Sequence, residues 1–408
     1  MGQKYKLICT ACGAVYDSFA EWFANDQKCN CGCQRAEAEY NADYSKLFDC
    51  KEHCDSLFRY FDFLPLNNSE NIVSCGEGAE PIEEWAFFEK YAKDKHNIDC
   101  KVYVVRNDHN NGSGTFKDIA AALGASLFKE NGGKRFCLAS TGNAATAFSR
   151  YCALAGITFD VFMPCDVCPE TADTIRSHGQ NIHISEGGYG AAKQEAADFH
   201  KNEKVLISAG NIDPIRVEAK RTMVFEFLRQ LGKMPDVFFQ AVAGGTGPIA
   251  LDKGVRELQK YYDASLRMPK LILVQQDSCD PMVQAWERAS SEDFPNGWEK
   301  DFLSVVPHPR ISILTAGTPG MYPVVAPMVK KSNGSFVRVK ENELPSIGKW
   351  INDNTGTIFG PASMVCFAGF IKALEEGKIN NGETILLNIG EAVDRAKWFE
   401  KEVEDCHE

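Results

Sequence analysis

The segment Ser113-Gly-Thr-Phe-Lys-Asp118 decides how this chain is interpreted. The hydrophobic run 102–106 before it predicts a buried strand, and 116–128 predicts a helix with small residues along one face. Thr115 is the expected N-cap of that helix. Lys117 then lies in the first turn, where the positive end of the helix dipole favours a neutral amine. Such an amine can form a Schiff base with an aldehyde, although a solvated surface lysine is the commoner alternative.

Two further turns follow later strands at similar junctions. Ser140-Thr-Gly-Asn143 follows the predicted strand 135–139, and Gly244-Gly-Thr-Gly247 follows the predicted strand 236–242. Glycines between a strand and a helix let backbone N–H groups converge on an anion, so the second turn predicts a phosphate site, with a plain tight turn as the alternative. Asn143 offers a neutral amide to a phenolic oxygen. An amine, an amide and a phosphate loop together indicate one cofactor, pyridoxal phosphate.

These motifs, together with Gly360-Pro-Ala-Ser363, resemble the threonine synthase family of fold-type II pyridoxal-phosphate enzymes. The resemblance implies that Lys117 forms the Schiff base, that Phe116 neighbours the cofactor ring and that Asn143 contacts the ring hydroxyl. By the same resemblance Asn388 faces the pyridine nitrogen. The implied phosphate loop consists of Gly244, Gly245, Thr246 and Gly247.

The resemblance also implies where substrate binds. The segment Asn211-Ile-Asp-Pro-Ile-Arg216 is similar to a threonine synthase segment whose arginine grips the substrate phosphate, with a surface arginine at a helix start as the alternative. The implied substrate-binding residues are Ser140, Thr141, Asn211 and Arg216. The sequence departs from the family pattern where asparagine, glycine, glutamine and arginine are usual, and the departing residues are Asp213, Ala219, Lys220 and Ile119.

Other segments resemble cysteate synthase, a relative that replaces the phosphate of O-phosphoserine with sulfite. They span residues 232–242, 268–271 and 384–389. We therefore expect a pyridoxal-phosphate-dependent lyase or transferase that eliminates or replaces phosphate on an O-phospho amino acid in a cysteate synthase-like reaction. The first alternative is threonine synthase, which converts O-phosphohomoserine and water to threonine and phosphate. The second is a catalytically retired binding protein, which retention of Lys117 and the glycine loop argues against.

Alternating strand and helix patterns predict an α/β fold with largely parallel sheets and ligands at the carboxyl ends of the strands. The length of 408 residues is enough for two doubly wound lobes that share a cleft, as in tryptophan synthase beta-like enzymes. We expect a zinc-ribbon-like segment at 1–45, a large cofactor-binding lobe at 46–131 and 211–408, and a small mobile lobe at 132–210. The predicted strands are 102–106, 135–139, 158–163, 181–185, 204–208, 236–242, 270–276, 335–339 and 384–389.

The net charge of −12 argues against nucleic acid or an anionic membrane as a partner, because both require a basic surface. No apolar run approaches the length of a membrane span, and the N-terminus lacks the apolar core of a secretion signal. We therefore expect a cytoplasmic enzyme of amino-acid biosynthesis. Its partner is a small phospho amino acid, and a homodimer is one oligomeric state that the sequence allows.

Sixteen cysteines without a secretion signal are expected to be thiols and metal ligands, not disulfides. Cys9 and Cys12 form one pair of thiolates, and Cys29 and Cys31 form a second, which together can hold a structural zinc ion. Cys33 competes with its neighbours as a ligand. The pairs Cys50/Cys54 and Cys165/Cys168 are also closely spaced. For the second of these pairs a redox dithiol is the alternative to free thiols.

Overall fold

The computed structural model describes residues 3–50, 52–165, 167–307, 310–311, 314–394 and 396–406. Within these residues the strands are β1 (Tyr5–Cys9), β2 (Val15–Tyr16), β3 (Ala36–Tyr40), β4 (Ile82–Glu84), β5 (Lys101–Val105), β6 (Arg135–Ala139), β7 (Thr158–Pro164), β8 (Asn181–Ser185), β9 (Leu206–Ile207), β10 (Val237–Ala241), β11 (Lys270–Gln276), β12 (Ser335–Val339) and β13 (Thr384–Asn388).

The α-helices of the same residues alternate with these strands over most of the chain. They are α1 (Phe19–Ala24), α2 (Ala86–His96), α3 (Asp118–Glu130), α4 (Asn143–Leu154), α5 (Pro169–Ser177), α6 (Tyr189–Glu203), α7 (Pro214–Lys220), α8 (Thr222–Leu231), α9 (Thr246–Tyr261), α10 (Pro281–Ser291), α11 (Tyr322–Lys331), α12 (Leu344–Thr355), α13 (Pro361–Glu375) and α14 (Lys397–Asp405). No helix of the described residues is both long and apolar enough to cross a membrane.

The chain divides into two compact units. The first unit comprises Met1–Ala79, Asn110–Phe225 and Arg256–Ala264, and the second comprises Glu80–His109, Glu226–Val255 and Ser265–Glu408. The lobe boundaries expected from the sequence stay a prediction.

The first unit contains two sheets. A parallel sheet in the order β8-β7-β6-β9 packs against α4, α5 and α6. Its strand β7 is buried from Phe159 onward because it lies between two neighbouring strands and beneath helices. The second sheet is antiparallel, has the order β2-β1-β3 and carries the N-terminal cysteines.

The second unit is built on a six-stranded sheet in the order β12-β11-β10-β13-β5-β4. All neighbouring strands run parallel except the edge strand β4, which is antiparallel to β5. The five residues of β13 are all buried, as expected for a central parallel strand covered on both faces. The carboxyl ends of β10 and β13 therefore lie side by side at one edge of the sheet.

The α/β class predicted from the sequence is confirmed, and each of the nine predicted strands is present. The shortest is the predicted strand 204–208, of which only Leu206–Ile207 is extended and paired. The helix predicted at 116–128 begins two residues later, at Asp118, so Lys117 occupies the N-cap position. The strands β1 to β4 were not predicted.

One expectation about the cysteines is wrong. Cys50 and Cys54 form a disulfide, with their Cα atoms 5.9 Å apart. This separation is within the range that a disulfide spans without moving the backbone. The composition of the chain does not reveal that these two cysteines come within bonding distance. Cys165 and Cys168 are free thiols, as expected.

Candidate active site

Lys117 lies at the junction of a closed loop and α3 in the first unit. The Thr115 hydroxyl oxygen accepts a hydrogen bond of 3.1 Å from the backbone N–H of Lys117. The Asp118 carboxylate accepts a bond of 2.6 Å from the Ser113 N–H and a second from the Ser113 hydroxyl. These bonds close the loop from residue 113 to 118 on itself. They fix the backbone from which the Lys117 side chain projects.

Phe116 is buried between two amines. The Lys117 Nζ lies 5.9 Å from the centre of its ring, and the Lys220 Nζ lies 4.5 Å from the same point. Lys220 comes from α7, which packs against α3. Lys220 departs from the family pattern, and its amine is a second lysine amine near Phe116.

The turn between β6 and α4 places Asn143 as the first residue of α4, where it is buried. The Ser140 hydroxyl oxygen accepts hydrogen bonds from the N–H groups of Gly142 and Ala145, at 3.2 and 3.3 Å. Ser140 therefore holds the turn that positions Asn143, and Thr141 is half-buried beside it. The residues predicted on this turn are thus brought to one helix start, at the carboxyl end of β6.

Asp213 caps the helix that carries Arg216. Its carboxylate accepts bonds from the Ile215 N–H at 3.0 Å and from the Ser208 hydroxyl at 2.8 Å. Burial raises the pKa of the Asp213 carboxyl although the nearby Arg216 opposes the change. Asparagine and aspartate cap helices about equally well, so the family's residue and Asp213 can fill one structural role. Asn211 lies in the short 3-10 helix Gly210–Ile212 just before this cap.

Arg216 is 8% exposed and its guanidinium carbon lies 5.4 Å from the centre of the Phe148 ring. Burial lowers its pKa. Among the described residues its buried Nε has no hydrogen-bond partner. A buried cation with an unused N–H donor is costly unless a ligand supplies the missing acceptor. The alternative of a surface arginine does not fit these observations.

The glycine turn of the second unit connects β10 to α9. Gly245 has a φ of +93°, and a Cβ built there would lie 2.7 Å from a methyl carbon of Val325. A Cβ on Gly247 would lie 2.2 Å from the Gln240 side-chain oxygen. Gly245 therefore requires glycine for its backbone conformation and for space, whereas a Cβ at position 247 would displace the end of the Gln240 side chain. The absence of side chains leaves the backbone N–H groups of this helix start accessible to an anion.

Asn388, the last residue of β13, is paired in register with Gln240 of β10. Its Oδ1 accepts a hydrogen bond of 2.8 Å from Asn107 Nδ2, which also donates to the Ile389 carbonyl at 3.0 Å. The carbonyl can only accept, so these two bonds fix the orientation of both amides. Asn388 Nδ2 consequently points elsewhere, and within the described chain this buried donor has no partner.

Ser363 supports the same edge of the sheet from the start of α13. Its hydroxyl oxygen accepts from the N–H groups of Gly390 and Glu391, at 3.2 and 3.0 Å, and it donates to the Glu391 carbonyl at 2.7 Å. A Cβ on Gly360 would clash with Glu391 and Ala392, which explains the glycine of this motif. Ser363 therefore orders the chain just after Asn388.

Sequence reasoning missed two residues that shape these sites: Asn107 and Gln240. Asn107 lies just after β5, so the expectation of polar groups at strand ends pointed to it. Gln240 is a polar residue inside an otherwise apolar strand. Each is thus a buried polar residue in an apolar context, which is a recognisable signal.

The four predicted metal ligands come together at the N-terminus. The sulfur atoms of Cys9, Cys12, Cys29 and Cys31 all lie within 4.8 Å of one another. Cys33 is not part of this group, because its sulfur instead accepts from the Arg35 N–H at 3.4 Å. Four thiols at this distance are compatible with a tetrahedral structural zinc ion.

Comparison with known proteins identifies the family. The model of the family described as pyridoxal-phosphate dependent enzyme matches residues 76–390, more than three quarters of the chain. The chain belongs to this family. It is therefore a pyridoxal-phosphate-dependent enzyme, as the sequence predicted.

Two relatives match almost the whole chain. Cysteate synthase from Methanosarcina barkeri is 27% identical over 396 residues, covering 95% of this chain and 91% of its own length. Threonine synthase from Methanocaldococcus jannaschii is 26% identical over 386 residues, covering 93% and 90%. The resemblance found in the sequence is thereby confirmed.

Solved structures confirm the predicted fold. The structure of diaminopropionate ammonia lyase from Escherichia coli superposes with a TM-score of 0.62 at 14% identity, covering 87% of this chain and 92% of that chain. At this identity the likeness concerns the fold alone, and it is the fold-type II architecture expected from the motifs.

The geometry of the second unit fits the cofactor of this family. The glycine turn is a cradle that a Cβ would fill, and Asn388 Nδ2 is a buried donor without a partner in the described residues. The turn would hold the phosphate group through backbone N–H groups, and Asn388 would donate to an unprotonated pyridine nitrogen. Bound there, pyridoxal phosphate supplies an electron sink for the carbanion formed at a substrate's α-carbon. The role of Lys117, which belongs to the first unit, stays a prediction.

Proposed function

We propose that this enzyme is a lyase that removes phosphate from O-phosphoserine and adds sulfite at the same carbon, a cysteate synthase-like reaction. The single observation that carries the proposal is the buried Arg216, whose Nε lacks an acceptor among the described residues. An arginine in this state is suited to a phosphate group, because its planar fork matches phosphate oxygens and stays charged. The family relationship supports the same substrate class.

The proposed reaction requires few protein groups. The Lys117 amine takes the proton from the α-carbon, the C–O bond at the β-carbon breaks, and phosphate leaves with the bonding electrons. The sulfur lone pair of sulfite then forms the new bond to the β-carbon, and a proton returns to the α-carbon. Asn388 favours this course, because an amide facing the ring nitrogen leaves the ring less electron-withdrawing than a carboxylate would, which suits elimination and replacement over transamination.

The substrate-binding side of the proposal assigns Ser140, Thr141, Asn211 and Arg216 to the substrate. Asp213 does not oppose an anionic substrate strongly, because its oxygens accept from the Ile215 N–H and the Ser208 hydroxyl and the cation of Arg216 lies nearby. The repulsion expected from a carboxylate at this position is thus reduced within the fold.

Threonine synthase activity is the second candidate, and the 26% identity to a threonine synthase supports it nearly as well. That reaction removes phosphate from the γ-carbon and requires a second proton transfer at the β-carbon. Ile119 replaces an arginine of the family pattern, and it is buried, 3.4 Å from the position of a Cβ at Gly78. An apolar residue there offers no group for the additional step, so we place this function second.

The decisive experiment measures phosphate release from O-phosphoserine and O-phosphohomoserine side by side, each with and without sulfite. We expect release from O-phosphoserine and formation of cysteate when sulfite is present. Threonine from O-phosphohomoserine with no reaction of O-phosphoserine would replace the proposal by its rival. Phosphate release from neither substrate would mean that the leaving group is not phosphate.

Arg216→Ala tests the observation on which the proposal rests. We expect KM for O-phosphoserine to rise at least tenfold, corresponding to the loss of a charge-assisted hydrogen bond of about 1.5–3 kcal/mol. The visible absorption of the bound cofactor should be retained. Arg176→Ala is the matched control, because this exposed arginine pairs only with the exposed Asp173 in the same unit. An unchanged KM in Arg216→Ala would contradict the assignment.

Cytoplasmic localisation and a homodimer stay predictions, as do the remaining site assignments.

A further inference from the structure

Lys220 is the last residue of α7 and is only 2% exposed. Its amine lies 4.5 Å from the centre of the Phe116 ring, close to the side of the loop that carries Lys117. Within the described residues its amine forms neither a hydrogen bond nor an ion pair. A buried amine in this state is rare in proteins, because an ammonium group without a partner loses its hydration and gains nothing in return.

Arg216 precedes Lys220 by four residues on the same helix. Side chains four apart lie on the same face of a helix, so the two project in one direction. Both are buried, and both lie over an aromatic ring of the first unit, Phe148 and Phe116 respectively. This face of α7 therefore presents two buried nitrogen groups side by side.

The charged groups near Lys220 are the cations Lys117 and Arg216. Burial, and after it the nearby Lys117 and Arg216, hold the pKa of the Lys220 amine well below its usual range, and no carboxylate of the described residues counteracts them. The carboxylate near Arg216 is Asp213, which is committed to the helix cap and to Ser208. A doubly charged anion is the ligand that would compensate such a cluster.

We propose that Lys220 is a second anion-binding residue of the substrate site, which together with Arg216 holds a tetrahedral oxyanion and takes up a proton when that anion binds. The inference rests on the proposed function and deepens it, because it adds a residue that recognises the phosphate of the substrate. Oxyanion chemistry is shared by the leaving phosphate and by sulfite, and the experiment separates the two.

Other titratable groups on α7 and the elements packed against it are already engaged. Asp118 at the start of α3 is bonded to Ser113, and Glu218 is paired with Arg221. On β3 the Tyr40 hydroxyl donates to Glu218, and its pKa is raised well above the usual value by burial. Glu37 and Glu39 of β3 form ion pairs with Arg256, Lys260 and Lys6. At the other end of α3, Lys129 donates to the Glu70 carbonyl, and Glu130 accepts from the N–H groups of Asn67 and Asn68. Lys117 and Asp213 lie before α3 and α7 respectively. Lys220 is therefore the group whose proton uptake an anion would change most.

The test is calorimetric titration of the cofactor-loaded enzyme with sodium sulfate near pH 8, in two buffers of different ionisation enthalpy. Sulfate stays a dianion throughout, so any proton taken up belongs to the protein. We expect net proton uptake on sulfate binding in the unmodified enzyme, since the anion favours the charged form of the Lys220 amine. Lys220→Met should bind sulfate about tenfold more weakly or worse, without proton uptake.

Two variants keep the result interpretable. Replacement of a buried charge by an apolar residue of similar volume usually preserves folding, so Lys220→Met is expected to fold. Lys4→Met is the matched control, because Lys4 is also a largely buried lysine over a ring, with a pKa lowered by burial to about 8, but its amine donates to the carbonyls of Phe61 and Leu66. Its sulfate affinity should equal that of the unmodified enzyme.

The outcomes separate the two proposals. The role of Lys220 would be overturned if Lys220→Met and the unmodified enzyme showed equal sulfate affinity and equal proton uptake. The proposed turnover of O-phosphoserine would not be affected by that result. No turnover of O-phosphoserine by the unmodified enzyme, together with Lys220-dependent sulfate binding, would instead overturn the proposed function alone. If KM for O-phosphoserine rises in Lys220→Met and KM for sulfite does not, the anion that Lys220 holds is the substrate phosphate. If only KM for sulfite rises, Lys220 binds sulfite and the phosphate assignment is overturned.

Discussion

At the scale of single residues, hydrogen bonds from neighbouring groups fix the orientation of several polar groups of the candidate site. The two bonds donated by Asn107 determine which end of the Asn388 amide is available. The bonds from Thr115 and Asp118 similarly hold the backbone around Lys117. The orientation of the candidate site residues therefore depends on hydrogen bonds to neighbouring residues.

Lys117→Ala should remove both the visible absorption of the bound cofactor and turnover, because no amine remains to link the cofactor at this position. Reduction with borohydride followed by peptide mapping locates the linked lysine in the unmodified enzyme. Lys129→Ala is the control on the same helix, since its exposed amine bonds only to the Glu70 carbonyl. Cofactor found on a lysine other than Lys117 would contradict the assignment.

At the scale of secondary-structure elements, the turn between β10 and α9 requires glycine at one position for two separate reasons. Gly245 combines a positive φ with a 2.7 Å approach to Val325, whereas Gly377 has a positive φ of +64° and open space around it. A comparison of substitutions at the two glycines therefore distinguishes the effect of backbone strain from the effect of crowding.

Gly245→Ala should weaken pyridoxal phosphate binding by about tenfold or more, because relief of the contact moves the N–H groups that face the anion. Gly377→Ala should cost only about 1 kcal/mol of stability and leave cofactor affinity unchanged. Fluorescence titration of the cofactor-free protein measures both affinities. Equal affinities in the two variants would mean that the turn does not hold the phosphate.

The N-terminal sheet is joined to α7 through buried charges. The Glu218 carboxylate accepts from the Ala38 N–H at 2.8 Å and from the Tyr40 hydroxyl at 2.6 Å, both on β3. Its partner Arg221 lies 2.7 Å away and also contacts Glu257 at 3.1 Å. Glu218 and Arg221 are fully buried, so loss of one partner leaves an uncompensated charge, at a cost of about 3–5 kcal/mol.

Removal of the metal should consequently affect substrate binding. The protein should contain about one zinc ion per chain, and Cys12→Ser should release it, loosen β3 and raise KM for O-phosphoserine while the cofactor absorption stays. Cys33→Ser is the control, because this sulfur lies outside the group of four. Elemental analysis and KM give the readout. A zinc-free variant with an unchanged KM would show that the sheet does not position α7.

The elements of the parallel sheets were predictable from sequence because hydrophobic runs of buried strands are local signals. The N-terminal strands were not. Tyr5, Leu7 and Cys9 of β1 alternate with half-buried residues, but the cysteines dominated the interpretation of this segment. The sequence Ala36-Glu-Ala-Glu-Tyr40 of β3 has a helix-favouring composition. It is extended because β1 and Glu218 supply its hydrogen bonds, and these partners lie far away in sequence.

In the candidate site, too, some positions were predictable from the sequence and others were not. Lys117, Asn143 and the glycine turn belong to contiguous motifs, so their positions follow from the sequence. The proximity of Lys220 to Phe116, and that of Asn107 to Asn388, depend on the packing of elements separated by more than a hundred residues. Such contacts are set by the tertiary fold, which local patterns do not encode.

At the scale of the whole molecule, a buried carboxyl should make stability depend on pH. Glu77 is fully buried, and burial raises its pKa to about 8 although Tyr151, Ser74 and the Cys75 N–H donate to it. The folded state thus holds this proton more tightly than the unfolded chain does. The contribution to stability is complete below about pH 4.5 and is lost as the pH rises through about 8.

Glu77→Gln should remove this dependence, because an amide keeps the hydrogen bonds and does not ionise. We expect the variant to be more stable than the unmodified protein at pH 9, by up to about 5 kcal/mol, and to be similar at pH 4.5. Chemical denaturation at several pH values measures the difference. Glu404→Gln, at an exposed carboxylate of α14, is the control. Parallel stability curves for all three proteins would contradict the role of Glu77.

The two opposite faces of the seven-residue helix α7 have different roles. Arg216 and Lys220 project from one face, while Glu218 and Arg221 attach the other to the N-terminal sheet. Substitutions on the first face leave the bonds of the second intact. Under the proposed assignment, evolution after gene duplication can therefore change the anion that this face accepts through as few as two codon changes, while the bonds of Glu218 to the N-terminal sheet are kept.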